Sequence, residues 1–156
     1  MQERNDGWYV KGVEMAADSE MIQKLESYFS DDPCIVAAYL FGSFARSRQR
    51  PLSDVDIAVL LNDRYGRVDR TLVIRRLLQD LGRLLRKDVH VLILNDASYL
   101  ARIEAIFRGR RLHVRDEDAL AHFKMVSVSL FADFTPFLDE SHRRLKHRLG
   151  VKHDGQ

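Results

Sequence analysis

Several features are scarce in this chain, and each scarcity excludes a class of protein. Cys34 is the only cysteine, so no disulfide can form within the chain, and a reducing compartment fits this usage. No apolar run approaches the roughly 20 residues that a membrane-spanning helix needs. The polar first residues do not resemble a secretion signal. We therefore expect a cytoplasmic protein without a membrane partner.

An excess of charge of one sign is also missing. The chain has 25 basic and 23 acidic residues, which leaves a net charge of only +2. This balance is too even to indicate a nucleic-acid-binding surface, so we expect no direct contact with nucleic acid. The content of 46% hydrophobic and 31% charged residues is instead typical of a folded globular protein.

Internal repeats and linkers rich in proline, glycine or serine are absent as well. A length of 156 residues suits one domain with a real core. We assign a single domain to residues 18–150, made of a core over 18–115 and a helical segment over 116–150. The stretch 1–17 is weakly patterned, so we leave it outside the domain.

Apolar spacing predicts helices and strands in alternation. The first helix is expected over 21–29 with Asp18 or Ser19 as its N-cap, another over 74–85, and a later one after Asn95 or Asp96. Pro136 is expected to kink or interrupt the last helix. Strands are predicted over 35–41, 54–61, 89–94 and 112–114. This order indicates an α/β or α+β domain with a long C-terminal helical segment.

Two aspartates stand at the start of the second predicted strand. Residues i and i+2 of a strand project to the same face, so Asp54 and Asp56 point together. Neighbouring carboxylates repel each other unless a cation lies between them, and Mg²⁺ prefers such oxygen ligands. Taken alone, however, an Asp-x-Asp pair is a weak signal.

A Gly-Ser turn precedes these aspartates. Gly42 can adopt positive φ and lets a phosphate approach the backbone, and Ser43 stands at a predicted helix start, where free N–H groups attract anions. The combination of strand, Gly-Ser, short basic helix, Ser-Asp-x-Asp and strand is much more specific than either part. It predicts a site for a metal-bound nucleotide.

The stretch "GSFARSRQRPLSDVDIAVLL" resembles the signature of nucleotidyltransferases related to DNA polymerase beta. More narrowly, it is similar to the minimal nucleotidyltransferases, the MNT antitoxins encoded beside HEPN-domain toxins. The segments "VHVLILNDASYLARIEAIFRGRRLHVRDEDALAHF" and "FADFTPFL" are similar to the same group. The resemblance covers roughly residues 20–145. It implies the polymerase beta-like fold, a small mixed sheet flanked by helices.

The resemblance also implies Mg²⁺-dependent transfer of a nucleoside monophosphate, with AMP from ATP given to a hydroxyl, that of a tyrosine, on a HEPN toxin. Gly42 and Ser43 would hold the triphosphate, with Arg46 and Ser53 as further candidates for nucleotide binding. Asp54 and Asp56 would bind metal. The oligomeric state is left open, a homo-oligomer included.

The sequence departs from the family pattern at two places. Ser47 replaces a second glycine of the turn, which we interpret as a mild change. The third carboxylate of the family aligns with His90, two residues after Asp88. Either Asp88 substitutes for it, or His90 is the base, since a neutral imidazole accepts protons near pH 7 but binds Mg²⁺ poorly. A third interpretation is a weakened catalyst.

Two alternatives to the adenylylating antitoxin stay open from the sequence. The first is a catalytically weak, nucleotide-binding antitoxin that inhibits its toxin by occlusion. The second is a stand-alone transferase that modifies a small molecule such as an aminoglycoside. Enzymes of the second kind usually carry an additional helical domain, for which this chain has no room.

Overall fold

The computed structural model describes residues 6–42, 54–62 and 69–148, and the account below concerns these residues. These residues contain four helices and four strands. The helices are α1 (Asp6–Ser30), α2 (Arg70–Leu85), α3 (Tyr99–Arg108) and α4 (Glu117–Arg148). The strands are β1 (Ile35–Phe41), β2 (Val55–Leu61), β3 (Val89–Ile93) and β4 (Arg110–Val114). The expected α/β class is confirmed.

The strands form one mixed sheet in the order β3-β2-β1-β4. Strand β1 pairs antiparallel with both β2 and β4, whereas β2 and β3 run parallel. A parallel pair requires a crossover, and α2 provides it between β2 and β3. The fourth strand lies at an edge, as predicted, but it begins at Arg110 rather than at Leu112.

Helices cover both faces of the sheet, which explains the nearly continuous apolar runs of β1 and β2. On one face, α1 and α2 pack Leu25, Phe29 and Leu77 against odd-numbered residues of β2. On the other face, Ala105 and Ile106 of α3 and Leu120 of α4 pack against Ala58 and Leu60. Apolar packing of both faces leaves the polar ends of the strands for chemistry.

Helix α1 begins at Asp6, so the expected start at Asp18 or Ser19 is wrong. Among the side chains of α1 that the structure describes, Ile22, Leu25 and Phe29 are buried, and their spacing marks the C-terminal part of the helix. A helix whose first turns carry no periodic apolar face gives no signal to a pattern search.

Polar contacts fix the end of α1 to α2. The buried carboxylate of Asp32, at 7% side-chain exposure, forms an ion pair with Arg76 and also accepts the N–H of Cys34 at 3.0 Å. The hydroxyl of Tyr28 donates to Asp80 at 2.9 Å. Burial, and then the hydrogen bond to Asp80, raises the pKa of Tyr28 above its ordinary value.

Helix α3 is capped by Ser98, whose side chain accepts the N–H of Ala101 at 3.3 Å, so the expected caps Asn95 and Asp96 are wrong. Asn95 instead pairs with the backbone of Leu61: its oxygen accepts the N–H at 2.9 Å, and its amide donates to the carbonyl at 3.1 Å. The side chain of Asn95 therefore takes the place of a backbone partner for β2 just beyond the end of β3.

Helix α4 continues through Pro136, so the proline does not interrupt it. Proline lacks the N–H that would bond to the carbonyl four residues earlier. Next to the proline, the hydroxyl of Thr135 donates to the carbonyl of Phe131, one turn earlier in the helix, at 2.8 Å.

Within the described ranges, no helix is long and apolar enough to cross a bilayer.

Candidate active site

The strand register brings three predicted site residues together. Asp56 of β2 is the register partner of His90 in β3, and Asp54 directly precedes β2 on the same face. Their neighbours Val55, Ile57 and Val89 face the opposite way, into the core beneath α1 and α2. The alternation that buries the valines therefore exposes the polar side chains.

The imidazole of His90 contacts both carboxylates. Its Nε2 lies 3.7 Å from an oxygen of Asp54, and its Nδ1 lies 3.4 Å from an oxygen of Asp56. Side-chain exposure is 68% for His90, 44% for Asp54 and 26% for Asp56, so the cluster is most open on the side of β3. A substrate can therefore reach these groups from solvent at that side.

Gly42 closes the other side of the cluster. It follows β1 with a φ of +69°, in the left-handed region that glycine adopts without strain. A Cβ at this position would overlap the Oδ2 of Asp56 and lie 3.0 Å from its Cγ. Gly42 therefore sets the space available to the Asp56 carboxylate, which the sequence did not reveal. The cross-strand register, in which Phe41 pairs with Asp56, is the observation that shows it.

Asp88 approaches the cluster through its backbone. Its carbonyl accepts the N–H of Val55 at 2.9 Å, which holds the start of β3 beside the start of β2. The side chain that contacts both Asp54 and Asp56 is that of His90. Asp88 and His90 are the two candidates for the role of the third carboxylate, and these contacts favour His90.

The predicted nucleotide-binding residues Ser43, Arg46 and Ser53 lie outside the described residues.

The donor set fits a magnesium ion held jointly with a substrate. No group of three or more histidine, cysteine or acidic side chains in residues 6–42, 54–62 and 69–148 is arranged to hold a metal alone. Mg²⁺ commonly uses one or two protein carboxylates and completes its shell with water and substrate phosphates. Asp54 and Asp56, partly exposed on one face, are suited to that role.

A separate cleft lies at the opposite end of β2. Its volume is about 660 Å³, and it contains none of the predicted site residues. Leu60, Leu61 and Asn95 line it together with the first turns of α4. We place the candidate active site at Asp54 and Asp56 rather than in this cleft, because their carboxylates share one strand face beside His90, where they can hold a metal ion jointly.

A mixed sheet that presents an Asp-x-Asp pair beside a positive-φ glycine defines a nucleotidyltransferase of the polymerase beta type. The family Polbeta, described as polymerase beta, nucleotidyltransferase, matches residues 23–118. The match covers more than half of the chain. The chain belongs to this family and is a nucleotidyltransferase, as the sequence resemblance indicated.

Individual relatives point to a narrower group. The chain is 32% identical over 97 residues to the protein adenylyltransferase MntA of Shewanella oneidensis, which covers 62% of this chain and 67% of that protein. A toxin–antitoxin crystal structure with AMP-PNP contains a similar chain at 26% identity and a TM-score of 0.60, covering 80% of this chain and 98% of the other.

A more distant structure has the same fold. It contains a tri-AMPylated Shewanella oneidensis HEPN toxin in complex with MNT antitoxin. The similar chain is 23% identical with a TM-score of 0.56, and the match covers 82% of this chain and 98% of the other. These relatives agree with the MNT resemblance of the sequence.

Proposed function

We propose that this protein is a Mg²⁺-dependent nucleotidyltransferase that acts as the antitoxin of a HEPN toxin, by transferring AMP from ATP to a tyrosine hydroxyl of that toxin. The observation that carries the proposal is the cluster of Asp54, Asp56 and His90 against Gly42. The reaction needs ATP, which agrees with the cytoplasmic location expected from the sequence.

The roles of the residues follow from their positions. Asp54 and Asp56 would hold Mg²⁺, which when bound neutralises phosphate charge and lowers the pKa of a hydroxyl oxygen. Following the family resemblance, we assign the triphosphate to Gly42 and Ser43, with Arg46 and Ser53 as its further partners. Positioning and charge stabilisation supply most of the catalysis in phosphoryl transfer.

We assign to His90 the role of the base that accepts the proton of the acceptor hydroxyl. It lies on the β3 side of Asp56, opposite Gly42, and is the most exposed member of the cluster. An acceptor hydroxyl that enters from this side meets the imidazole first. A neutral imidazole can accept the hydroxyl proton near pH 7. Asp88 is the alternative base, since its backbone adjoins the start of β2.

The relatives support the choice of acceptor and partner. The curated relative is a protein adenylyltransferase, which favours a protein hydroxyl over a small molecule. The structure with AMP-PNP is that of a toxin–antitoxin pair, which favours ATP as the donor and a toxin as the partner. The HEPN class of the toxin and the tyrosine are taken from the sequence resemblance.

The direct test is AMP transfer from ATP labelled at the α-phosphate, with Mg²⁺ and the purified product of the neighbouring gene. We expect labelled toxin with the unchanged chain, and at least a 10²-fold slower reaction with Asp54→Asn or Asp56→Asn, because such preorganised charges are worth about 10²–10³ in rate. Asp69→Asn is the matched control, because Asp69 caps α2 away from the site and asparagine also caps helices. Absence of labelling by a folded chain that binds its toxin would refute the catalytic proposal.

A second function is favoured by one observation, the histidine that stands where the family has its third carboxylate. If His90 does not serve as a base, the chain would inhibit its toxin by occlusion and retain a nucleotide site. Toxin inhibition by the Asp54→Asn, Asp56→Asn double variant separates the two functions. Inhibition survives the substitutions if occlusion suffices, and it is lost if AMP transfer is required.

A further inference from the structure

The outer edge of β3 is open beside the candidate active site. Strand β3 pairs with β2 and with no other strand in the part of the chain that the structure describes. An open strand edge presents N–H and C=O groups that can pair with another chain. Since β3 carries His90, any strand added there would lie directly next to the cluster.

The hydrogen-bond pattern shows which residues of β3 face outward. The N–H of Val55 bonds to the carbonyl of Asp88, and the N–H of Leu94 bonds to the carbonyl of Val59. Even-numbered residues of this segment therefore direct their backbone groups towards β2. The backbone groups of Val89 and Val91 alternate with these and point to the open edge.

We propose that this edge docks the acceptor as an extended peptide segment, which pairs antiparallel with Val89 and Val91 and places a tyrosine opposite His90. The inference rests on the proposed function, which it deepens by specifying how the acceptor is recognised. Backbone hydrogen bonds supply affinity in this mode of binding, and alternate side chains supply specificity. Antiparallel pairing is also the slightly more stable arrangement per residue.

The sheet geometry selects the acceptor side chain. Strands lie about 4.8 Å apart, so an added strand lies about 10 Å from the backbone of Asp56, with His90 in between. A side chain opposite His90 projects to the same face as His90 and Asp56. The hydroxyl of serine or threonine ends close to its own strand, whereas the tyrosine hydroxyl, at the far end of a ring, can extend across the imidazole to the aspartates.

The charge around the edge indicates the composition of the segment. Arg86 and Lys87 are exposed and precede β3, with the exposed Asp88 between them and the strand. In an antiparallel segment, acidic residues on the C-terminal side of the acceptor tyrosine, beyond the residue opposite Asp88, would lie near these cations. In the transfer, the tyrosine oxygen forms a bond to the α-phosphorus of ATP, the bond from that phosphorus to the bridging oxygen breaks, and pyrophosphate leaves. The base of the site takes the hydroxyl proton.

The test uses the full-length chain with ATP labelled at the α-phosphate, Mg²⁺, and a synthetic nonapeptide in which valine and glutamate alternate around a central tyrosine. Two backbone N-methylated versions separate edge pairing from other contacts. Methyl groups on the two residues adjacent to tyrosine remove the N–H groups that face Val89 and Val91. Methyl groups two residues from the tyrosine point away from β3 and are the matched control.

We expect the adjacent N-methyl groups to raise the acceptor KM at least about tenfold, since each lost hydrogen bond and the added bulk oppose pairing. The control peptide should keep the KM of the parent, and a peptide with serine in place of tyrosine should not be labelled. Equal KM values for the two methylated peptides would overturn the proposal. So would a failure to label the parent peptide by a chain that binds ATP with Mg²⁺.

A variant of the chain gives an independent measurement. Val91→Pro removes an outward N–H and places a ring on the edge without removing a bond to β2, because proline is tolerated on edge strands. We expect it to bind Mg²⁺-ATP in a thermal-shift assay and to lose labelling of the parent peptide. Labelling at the KM of the unchanged chain would overturn the proposal. Loss of Mg²⁺-ATP binding in the unchanged chain would instead refute the proposed function itself.

Discussion

Gly42 is in direct steric contact with the carboxylate on which the proposed metal site depends. An alanine Cβ at this position would overlap Asp56 Oδ2, and the φ of +69° would strain it further. We expect Gly42→Ala to slow AMP transfer by about 10²-fold, because a displacement of about 1 Å in a positioned group costs that much. Single-turnover transfer of labelled AMP measures the effect.

Gly82 provides the control for this substitution. It lies inside α2, where an added Cβ would meet only the carbonyl of Lys87, at 3.9 Å. Gly82→Ala should leave transfer unchanged and raise the free energy of unfolding by about 1 kcal/mol, the usual difference in helix propensity. Equal activity of the two alanine variants would show that Gly42 does not position Asp56.

Substitutions of His90 and Asp88 distinguish the two candidates for the catalytic base. His90→Ala should slow transfer by at least about 10²-fold at pH 7, the lower range for loss of a general base. It should not unfold the chain, because the side chain is 68% exposed. Asp88→Asn should change the rate only slightly, since Asp88 is linked to β2 through its backbone carbonyl, which the substitution keeps. The reverse order of effects in the same assay would identify Asp88 as the base.

The polar cluster could be predicted from the sequence because strand alternation alone places Asp54 and Asp56 on one face. The position of His90 required an alignment to the family, and the register then brought it opposite Asp56. The contact of Gly42 with Asp56 could not be predicted, because it depends on how β1 and β2 pair across the sheet. Local spacing contains no information about such a pairing.

The junction of α1 and α2 depends on one buried carboxylate. Asp32 has 7% side-chain exposure, and its ion pair with Arg76 is the charged contact that compensates its burial. We expect Arg76→Met to lower the free energy of unfolding by about 1–3 kcal/mol, the penalty for leaving a buried group without its partner. Urea unfolding at pH 7 measures the loss.

Arg144→Met is the matched control for this ion pair. Arg144 is 78% exposed and pairs with Glu140 on the surface of α4, so its loss should change stability by less than about 0.5 kcal/mol. A similar change for both variants would mean that burial of Asp32 adds nothing to the strength of its pair.

Element boundaries differed from the predictions where the deciding contact was not local. Asn95 was expected to cap α3, but its side chain pairs with Leu61 in the neighbouring strand, which leaves the cap to Ser98. Strand β4 begins at Arg110 because pairing with Leu40 extends it beyond its apolar residues. The apolar strands β1 and β2 were predicted well, since their own sequence pattern records the faces that they bury.

At the scale of the whole molecule, the family resemblance implied the topology of the sheet, which apolar periodicity could not predict. Periodicity predicted the order of helices and strands, but it gave neither the strand order β3-β2-β1-β4 nor the mixture of parallel and antiparallel pairs. The motif of residues 42–56 implied this fold, and the family match over residues 23–118 confirms the family. A short motif can thus identify a topology that depends on contacts distant in sequence.

The domain boundary at residue 18 is a prediction about the whole chain, and α1 allows a test of it. Helix α1 extends from Asp6, and among its described side chains Ile22, Leu25 and Phe29 are buried in the core. A chain that begins at residue 18 keeps all three and should unfold within about 1 kcal/mol of the full chain, because most helical stability comes from tertiary packing of such a face. Circular dichroism and urea unfolding measure both properties.

A chain that begins at residue 31 is the informative counterpart. It loses two side chains that are fully buried, Leu25 and Phe29, and a third, Ile22, at 8% exposure. Each buried side chain of this size contributes about 1.5–3 kcal/mol, so the three together approach the 5–15 kcal/mol that stabilises a typical domain. We expect this shorter chain to be unfolded. If both truncated chains lost their structure, the domain would have to begin before residue 18, and the first turns of α1 would belong to the cooperative unit.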